Sequence, residues 1–267
     1  MPLDRTEPGT ALLRIEEISV RFGNLAALNR VGFDVISGQV KALIGPNGAG
    51  KTTLFNVISG FLKPATGSIH LGNTDITRLK PHEVCRLGVA RTFQITRLFK
   101  GMTVLENIMV GCQPWTRSGI FSCGFRTSFC RDEARRIEVR SREILHFLGL
   151  SERGHTPAEN LPIGEQKLVE IGRALATSAS LLLLDEPAGG LNDAETERLA
   201  RTIRHLQSAM GITILLVEHD MSLVLDVADE IVVLNYGRKI AEGPPPEVQT
   251  MEEVVTAYLG KGAALSC

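Results

Sequence analysis

V-K-A-L-I-G-P-N-G-A-G-K-T-T-L at 40–54 decides the fold: an apolar run enters a glycine-rich loop and leaves it as a helical pattern reaching Ser59. Short apolar runs bounded by turn residues read as buried strands. The loop, Gly45–Thr53, fits G-x-x-x-x-G-K-[ST] between a strand and a helix, the setting this pattern requires. The residue types have a chemical reason. Gly45, Gly48 and Gly50, with Pro46, Asn47 and Ala49 between them, let successive backbone N–H groups converge on phosphate oxygens. The helix N-terminus adds its positive dipole end. Lys51 suits the β- and γ-phosphates, and the hydroxyl of Thr52, followed by Thr53, suits Mg²⁺. From average composition the bare pattern arises in about 1% of chains this long, so the flanking strand and helix make it specific. The expectation is a site that binds a magnesium–nucleoside triphosphate and hydrolyses it.

Outward from the loop, Ile15–Val20 and Val31–Val35 are strand-like, Gly67–Leu71 returns to strand, and Pro81–Leu87 reads as a short helix. A second run begins near 164 with a helix, then Leu181–Asp185 as a buried strand and a helix over 193–209. Ile212–Val217 and Ile231–Leu234 complete the strands. This alternation predicts an α/β fold with a largely parallel sheet covered on both faces. Between the two runs, residues 112–130 have no clean period and read as an irregular insertion, whereas Arg131–Leu148 places apolar residues at 137, 144, 145 and 148 like an amphipathic helix. Pro244–Pro246 end the body, and Glu252–Leu259 reads as a short terminal helix.

Asp185 and Glu186 follow the apolar run Leu181–Leu184. Two carboxylates at the mouth of a buried strand are costly unless they serve a cation or a proton transfer. Asp185 suits Mg²⁺ coordination through water, and Glu186 suits polarising an attacking water. A polar turn ending a strand is the plain alternative, and the phosphate loop decides against it.

The balance of 29 Lys+Arg against 30 Asp+Glu lacks the footprint of a dedicated nucleic-acid binder. No apolar run approaches the roughly 20 residues that span a bilayer, and M-P-L-D-R-T-E-P lacks the apolar core of a signal peptide. A membrane contact is therefore expected through a partner. The five cysteines (Cys85, Cys112, Cys123, Cys130, Cys267) lack C-x-x-C spacing, and Cys112, Cys123 and Cys130 do not match zinc ligand pairs.

These motifs resemble the nucleotide-binding subunit of an ATP-binding-cassette (ABC) transporter over residues 13–260. Phe22 matches the aromatic that stacks on adenine. Gln94, about forty residues after Lys51, matches the glutamine that senses Mg²⁺ and faces the transmembrane partner. L-P-I-G-E-Q at 161–166 resembles the signature segment that closes over the γ-phosphate held by a second subunit, through Leu161, Ile163, Gly164 and Glu165. Pro162 stands where that family has a hydroxyl-bearing serine, so that contact does not carry over, but a helix N-terminus beginning here still offers backbone N–H groups. G-G-L-N at 189–192 matches the loop crossing the dimer interface, and His219, 33 residues after Glu186, matches the histidine that contacts the γ-phosphate. The resemblance implies a P-loop NTPase fold: a RecA-like, mostly parallel core with an antiparallel β subdomain and a helical subdomain over about 95–178. It implies a domain over 13–243 between an N-terminal extension (1–12) and a C-terminal tail (244–267).

Arg91–Gln94, Arg97–Phe99, Met102–Asn107, Leu161–Gln166, Asp185–Asn192 and Ala257–Gly260 are together similar to one subfamily, the longer ATPase subunit of bacterial branched-chain amino-acid uptake. That implies ATP and Mg²⁺ as cofactors, a second ATPase subunit (identical or related), transmembrane permease subunits and, indirectly, an extracytoplasmic solute-binding protein. It implies a peripheral place on the cytoplasmic face of the inner membrane and no nucleic-acid partner. Another ABC system, for urea, amides or lipopolysaccharide-type export, remains open, as does a soluble cassette acting on ribosomes or DNA, although the second cassette or long insertions of that class are not visible. A GTPase-type switch would need a guanine-reading N-K-x-D element, and the sequence has none.

Overall fold

The computed structural model describes residues 9–94, 97–116 and 128–259. The first half runs β1 (Ala11–Phe22), β2 (Leu25–Ile36), β3 (Val40–Ile44), α1 (Lys51–Ile58), β4 (Thr66–Leu71), β5 (Thr74–Asp75), α2 (Pro81–Arg86), β6 (Val89–Arg91) and α3 (Val104–Val110). The second runs α4 (Ser128–Phe147), α5 (Ile163–Ala176), β7 (Leu181–Asp185), α6 (Asp193–Met210), β8 (Thr213–Val217), α7 (Met221–Val227), β9 (Glu230–Asn235), β10 (Arg238–Gly243), α8 (Pro245–Val248) and α9 (Glu252–Leu259).

Two sheets organise these elements. One is four-stranded and antiparallel, ordered β2-β1-β4-β5; the other is six-stranded, ordered β10-β9-β3-β8-β7-β6. In the second, β9, β3, β8, β7 and β6 are mutually parallel, and β10 adds antiparallel at one edge. Side-chain alternation then divides the apolar residues between two faces. Leu182, Leu184, Ile214 and Leu216 pack with α4, α5 and α6, while Leu181, Leu183, Leu215 and Val217 pack with α1 and the antiparallel sheet. A strand buried on both faces reads as a continuous apolar run, which is why β7 was legible as L-L-L-L.

Three sequence expectations change. The first two strands are longer than Ile15–Val20 and Val31–Val35, because they form one hairpin paired from Ala11↔Ile36 to Phe22↔Leu25; cross-strand pairing carries them through polar residues. The proline run does not end the body: Pro244 caps α8, with prolines at the first helical positions where a missing N–H is harmless. Val248 and Val254 then pack on Ile44 and Ile231, so this segment closes over the parallel sheet. In the expected insertion, Gln113–Trp115 forms a 3-10 turn, Cys112 is buried and α4 begins at Ser128, while 117–127, with Cys123, lie outside the described residues. Cys112 sits 4.0 Å from the Ser141 hydroxyl, and burial pushes its thiol pKa up. Asn192 caps α6: its side chain accepts from the Glu195 amide at 3.0 Å, and Glu195 returns the bond, closing a capping box.

Candidate active site

Four neighbouring parallel strands, β6, β7, β8 and β3, discharge the candidate residues from their carboxyl ends, where open α/β sheets place ligands. Gln94 lies three residues past β6, and Glu186 directly follows β7. His219 lies two residues past β8, and the phosphate loop follows β3. Elements far apart in sequence thereby converge because their strands are adjacent.

Gly45 has φ 149°, and a Cβ there would collide with the Leu234 carbonyl; Gly50 caps α1 at φ 105°. Both positions demand glycine. Lys51 is 7% exposed, and its ammonium donates to the carbonyls of Gly45 (2.6 Å) and Pro46 (3.2 Å). Burial lowers its pKa, with Glu186 and Asp185 pulling it back up. Asn47 through Thr53 line a cleft of about 470 Å³ together with Phe22, Glu186 and Tyr236. Phe22 stands at the tip of the β1–β2 hairpin, 53% exposed, and Thr52 is exposed at the first turn of α1.

Glu186 adopts φ 46°, an uncommon conformation for a side-chain-bearing residue. Such backbones persist only when the surroundings over-determine them. Here the Glu186 amide donates to the Val217 carbonyl (2.9 Å), and the Lys167 ammonium meets the carbonyls of Glu186 (3.4 Å) and Gln94 (3.3 Å). The Gln94 side-chain amide donates to Glu186 Oε2 at 2.6 Å, and His219 Nδ1 lies 3.9 Å from that same oxygen. Asp185 is less open than expected. Its Oδ2 accepts from Arg91 Nη2 at 2.8 Å, both side chains being nearly buried, while Oδ1 accepts no hydrogen bond among the described residues.

The signature-like segment is not brought to this cleft. Leu161, Ile163, Gly164 and Glu165 sit at the start of α5 against α6, where Gly164 faces the Glu195 carboxylate and Glu165 pairs with Arg153 at 3.3 Å; none of them lines the cleft. Pro162 caps α5 with no side-chain bond, and Ile163 is 54% exposed.

The ABC transporter family model matches residues 28–189, spanning the phosphate loop and the Asp185–Glu186 turn. The chain belongs to the ABC transporter family. A second model, described as a branched-chain amino acid ATP-binding cassette transporter, matches residues 238–264. The cassette is 41% identical to the high-affinity branched-chain amino acid transport ATP-binding protein LivG of Escherichia coli K12, over 94% of this chain and 98% of that one. It is 40% identical to BraF of Pseudomonas aeruginosa, with the same coverage. The crystal structure of a nucleotide-free ATP-binding cassette from an ABC transporter superposes with a TM-score of 0.82 at 37% identity, over 94% of this chain and all of that one. The protein is thus an ATP-binding cassette, an ATPase coupled to transport, with the α/β architecture its motifs imply.

Sequence reading passed over four residues of the site. Lys167 hides inside an apolar helix register, and Glu218, fully buried, takes the amides of Ala188 (2.7 Å), His219 (3.0 Å) and Asp220 (3.3 Å). Tyr236 reaches the cleft because the β9–β10 turn is tied to the phosphate loop by Gly237 N–H to the Ala49 carbonyl at 3.0 Å. Arg91 was visible only as part of a matching string. An apolar helix face interrupted by Lys was the one sequence signal available for these.

Proposed function

We propose that this cassette hydrolyses ATP to drive a membrane importer for branched-chain amino acids or a related small polar solute. The observation that carries the cargo class is the match of residues 238–264 to the branched-chain amino acid cassette model. Phe22 stacks on the adenine, the 45–53 loop holds the phosphates, and Lys51 exchanges its two carbonyl partners for phosphate oxygens. Glu186 accepts the proton of the attacking water, while Gln94 fixes its Oε2 and His219 completes the γ-phosphate side. The left-handed backbone at Glu186 and its contact with Gln94 support that assignment. The donors fit Mg²⁺, a hard cation that takes oxygen ligands: the exposed Thr52 hydroxyl, the open Asp185 Oδ1 and the amide oxygen of Gln94. Held by these residues, Mg²⁺ would neutralise the charge that develops on the phosphates.

The signature segment does not line its own cleft, so a second cassette, identical or related, supplies it across the dimer. Permease subunits seat beside Phe61, Phe93 and Phe99 in the groove of about 460 Å³, because Arg91 in its wall reaches Asp185 and Gln94, next in the chain to Phe93, reaches Glu186. No helix among the described residues is long and apolar enough to cross a membrane. As the ATPase of such an importer, the cassette sits peripherally on the cytoplasmic face of the inner membrane, with an extracytoplasmic binding protein choosing the solute. Affinity capture with uptake assays tests this reading: a hydrophobic permease should co-purify, and labelled leucine uptake should fail when the gene is deleted. Recovery of ribosomes or DNA with no membrane protein would end the transport reading; intact leucine uptake with lost urea or amide uptake would end the cargo reading.

A further inference from the structure

Arg91 occupies an unusual position. Its guanidinium is 7% exposed and lies beside the rings of Phe55 and Phe93, 5.5 and 5.3 Å from their centroids. Nη2 donates to Asp185 Oδ2, whereas Nη1 donates to Asn56 Oδ1 (2.8 Å) and Ser59 Oγ (3.0 Å); Nε is buried without a partner. Asn56 stands four residues after Thr52 on α1, and Ser59 seven, so all three share one helix face. The guanidinium thus spans from the helix that presents Thr52 to the strand end that presents Asp185. It also lines the aromatic groove. A pair serving the fold alone would be expected to satisfy both oxygens and all three nitrogens, since a half-satisfied buried pair is poor value for stability. Here one carboxylate oxygen is clamped and the other left open.

We propose that Arg91 is the positioning residue of the metal site: it clamps Asp185 through Oδ2 and so keeps Oδ1 open for the divalent cation that Asp185, through water, and Thr52 would hold. The proposal rests on the assignment of Asp185 to Mg²⁺. Its test measures the Mg²⁺ concentration that half-saturates two readouts, tightening of a fluorescent ATP analogue and phosphate release, on the full chain. Partners that orient a metal ligand typically change metal affinity 10–100-fold when removed, so Arg91→Met should raise the half-saturating Mg²⁺ by about tenfold. Metal-free binding of the analogue should stay within about twofold of wild type, because no phosphate contact is lost. Asn56→Ala with Ser59→Ala, which keeps the guanidinium but frees it from α1, should raise the requirement by a smaller factor, about threefold. That double variant keeps the test open should Arg91→Met fail to fold, and Arg91→Lys should restore only part of the affinity because an ammonium lacks the fork. An unchanged or lowered Mg²⁺ requirement in the folded variants overturns the proposal. Asp185→Asn separates the two claims: if it leaves the Mg²⁺ dependence unmoved, the metal assignment itself falls; if it shifts the dependence and Arg91→Met does not, only the clamp falls.

Discussion

Lys41, near the start of β3, and Lys51, past the loop that follows its other end, are ten residues apart and both nearly buried, yet their surroundings are opposite. The Lys41 ammonium meets Glu242 at 2.7 Å, Glu230 at 2.8 Å and the Asp34 carbonyl at 2.5 Å. Lys51 has two backbone carbonyls and no salt bridge among the described residues, and burial depresses its pKa. Glu218 and Glu186 repeat the contrast on the acidic side, one sealed by three amides and the other held at a strained backbone facing the cleft. A charge that serves the fold is satisfied by the fold; a charge that serves a ligand is left for it.

The contrast can be broken by substitution, and the largest effect is expected at Glu186. Glu186→Gln should lower phosphate release by about 10²–10⁴-fold, the usual contribution of a general base, with analogue binding retained. Normal turnover in that variant removes Glu186 from catalysis. Next comes Lys41→Met, which strands Glu230 and Glu242 and should cost about 2–4 kcal/mol in urea unfolding; ATP affinity should be unchanged. Phe22→Ala should weaken analogue binding by about fivefold through lost stacking, with no change in melting temperature. The smallest effect is the sharpest. Lys51→Met removes a desolvated charge and should raise the melting temperature of the nucleotide-free protein by about 1–2 °C. The sign follows from linkage. The folded pKa lies below the ordinary 10.5, so between the two values the folded state holds fewer protons and stability climbs with pH. The penalty is full below the folded pKa, and the gain from Lys51→Met should shrink as pH approaches 10.5.

Much of this was legible in the sequence because the parallel strands announce themselves. Ala42–Ile44 and Leu181–Leu184 are continuous apolar runs, and the loop and acidic turn follow them directly. The hairpin boundaries were blurred, since β1 and β2 depend on each other rather than on local propensity. The C-terminal segment was misread at its prolines, whose position as a helix start is indistinguishable locally from a chain break. Arg91 and Lys167 lay beyond reach for a different reason. Their roles are contacts with elements 19 to 94 residues away, and nothing in spacing encodes which carbonyl or carboxylate a long side chain will find.

The most direct test of the unpaired-lysine account is titration of a fluorescent ATP analogue with Mg²⁺ into wild type and Lys51→Ala, paired with thermal unfolding. The wild type should bind and be stabilised by Mg–ATP, as any ligand of the native state stabilises it. Lys51→Ala should remain folded yet neither bind nor be stabilised. Binding by Lys51→Ala equal to wild type would contradict the claim that this buried, unpaired ammonium is held for phosphate.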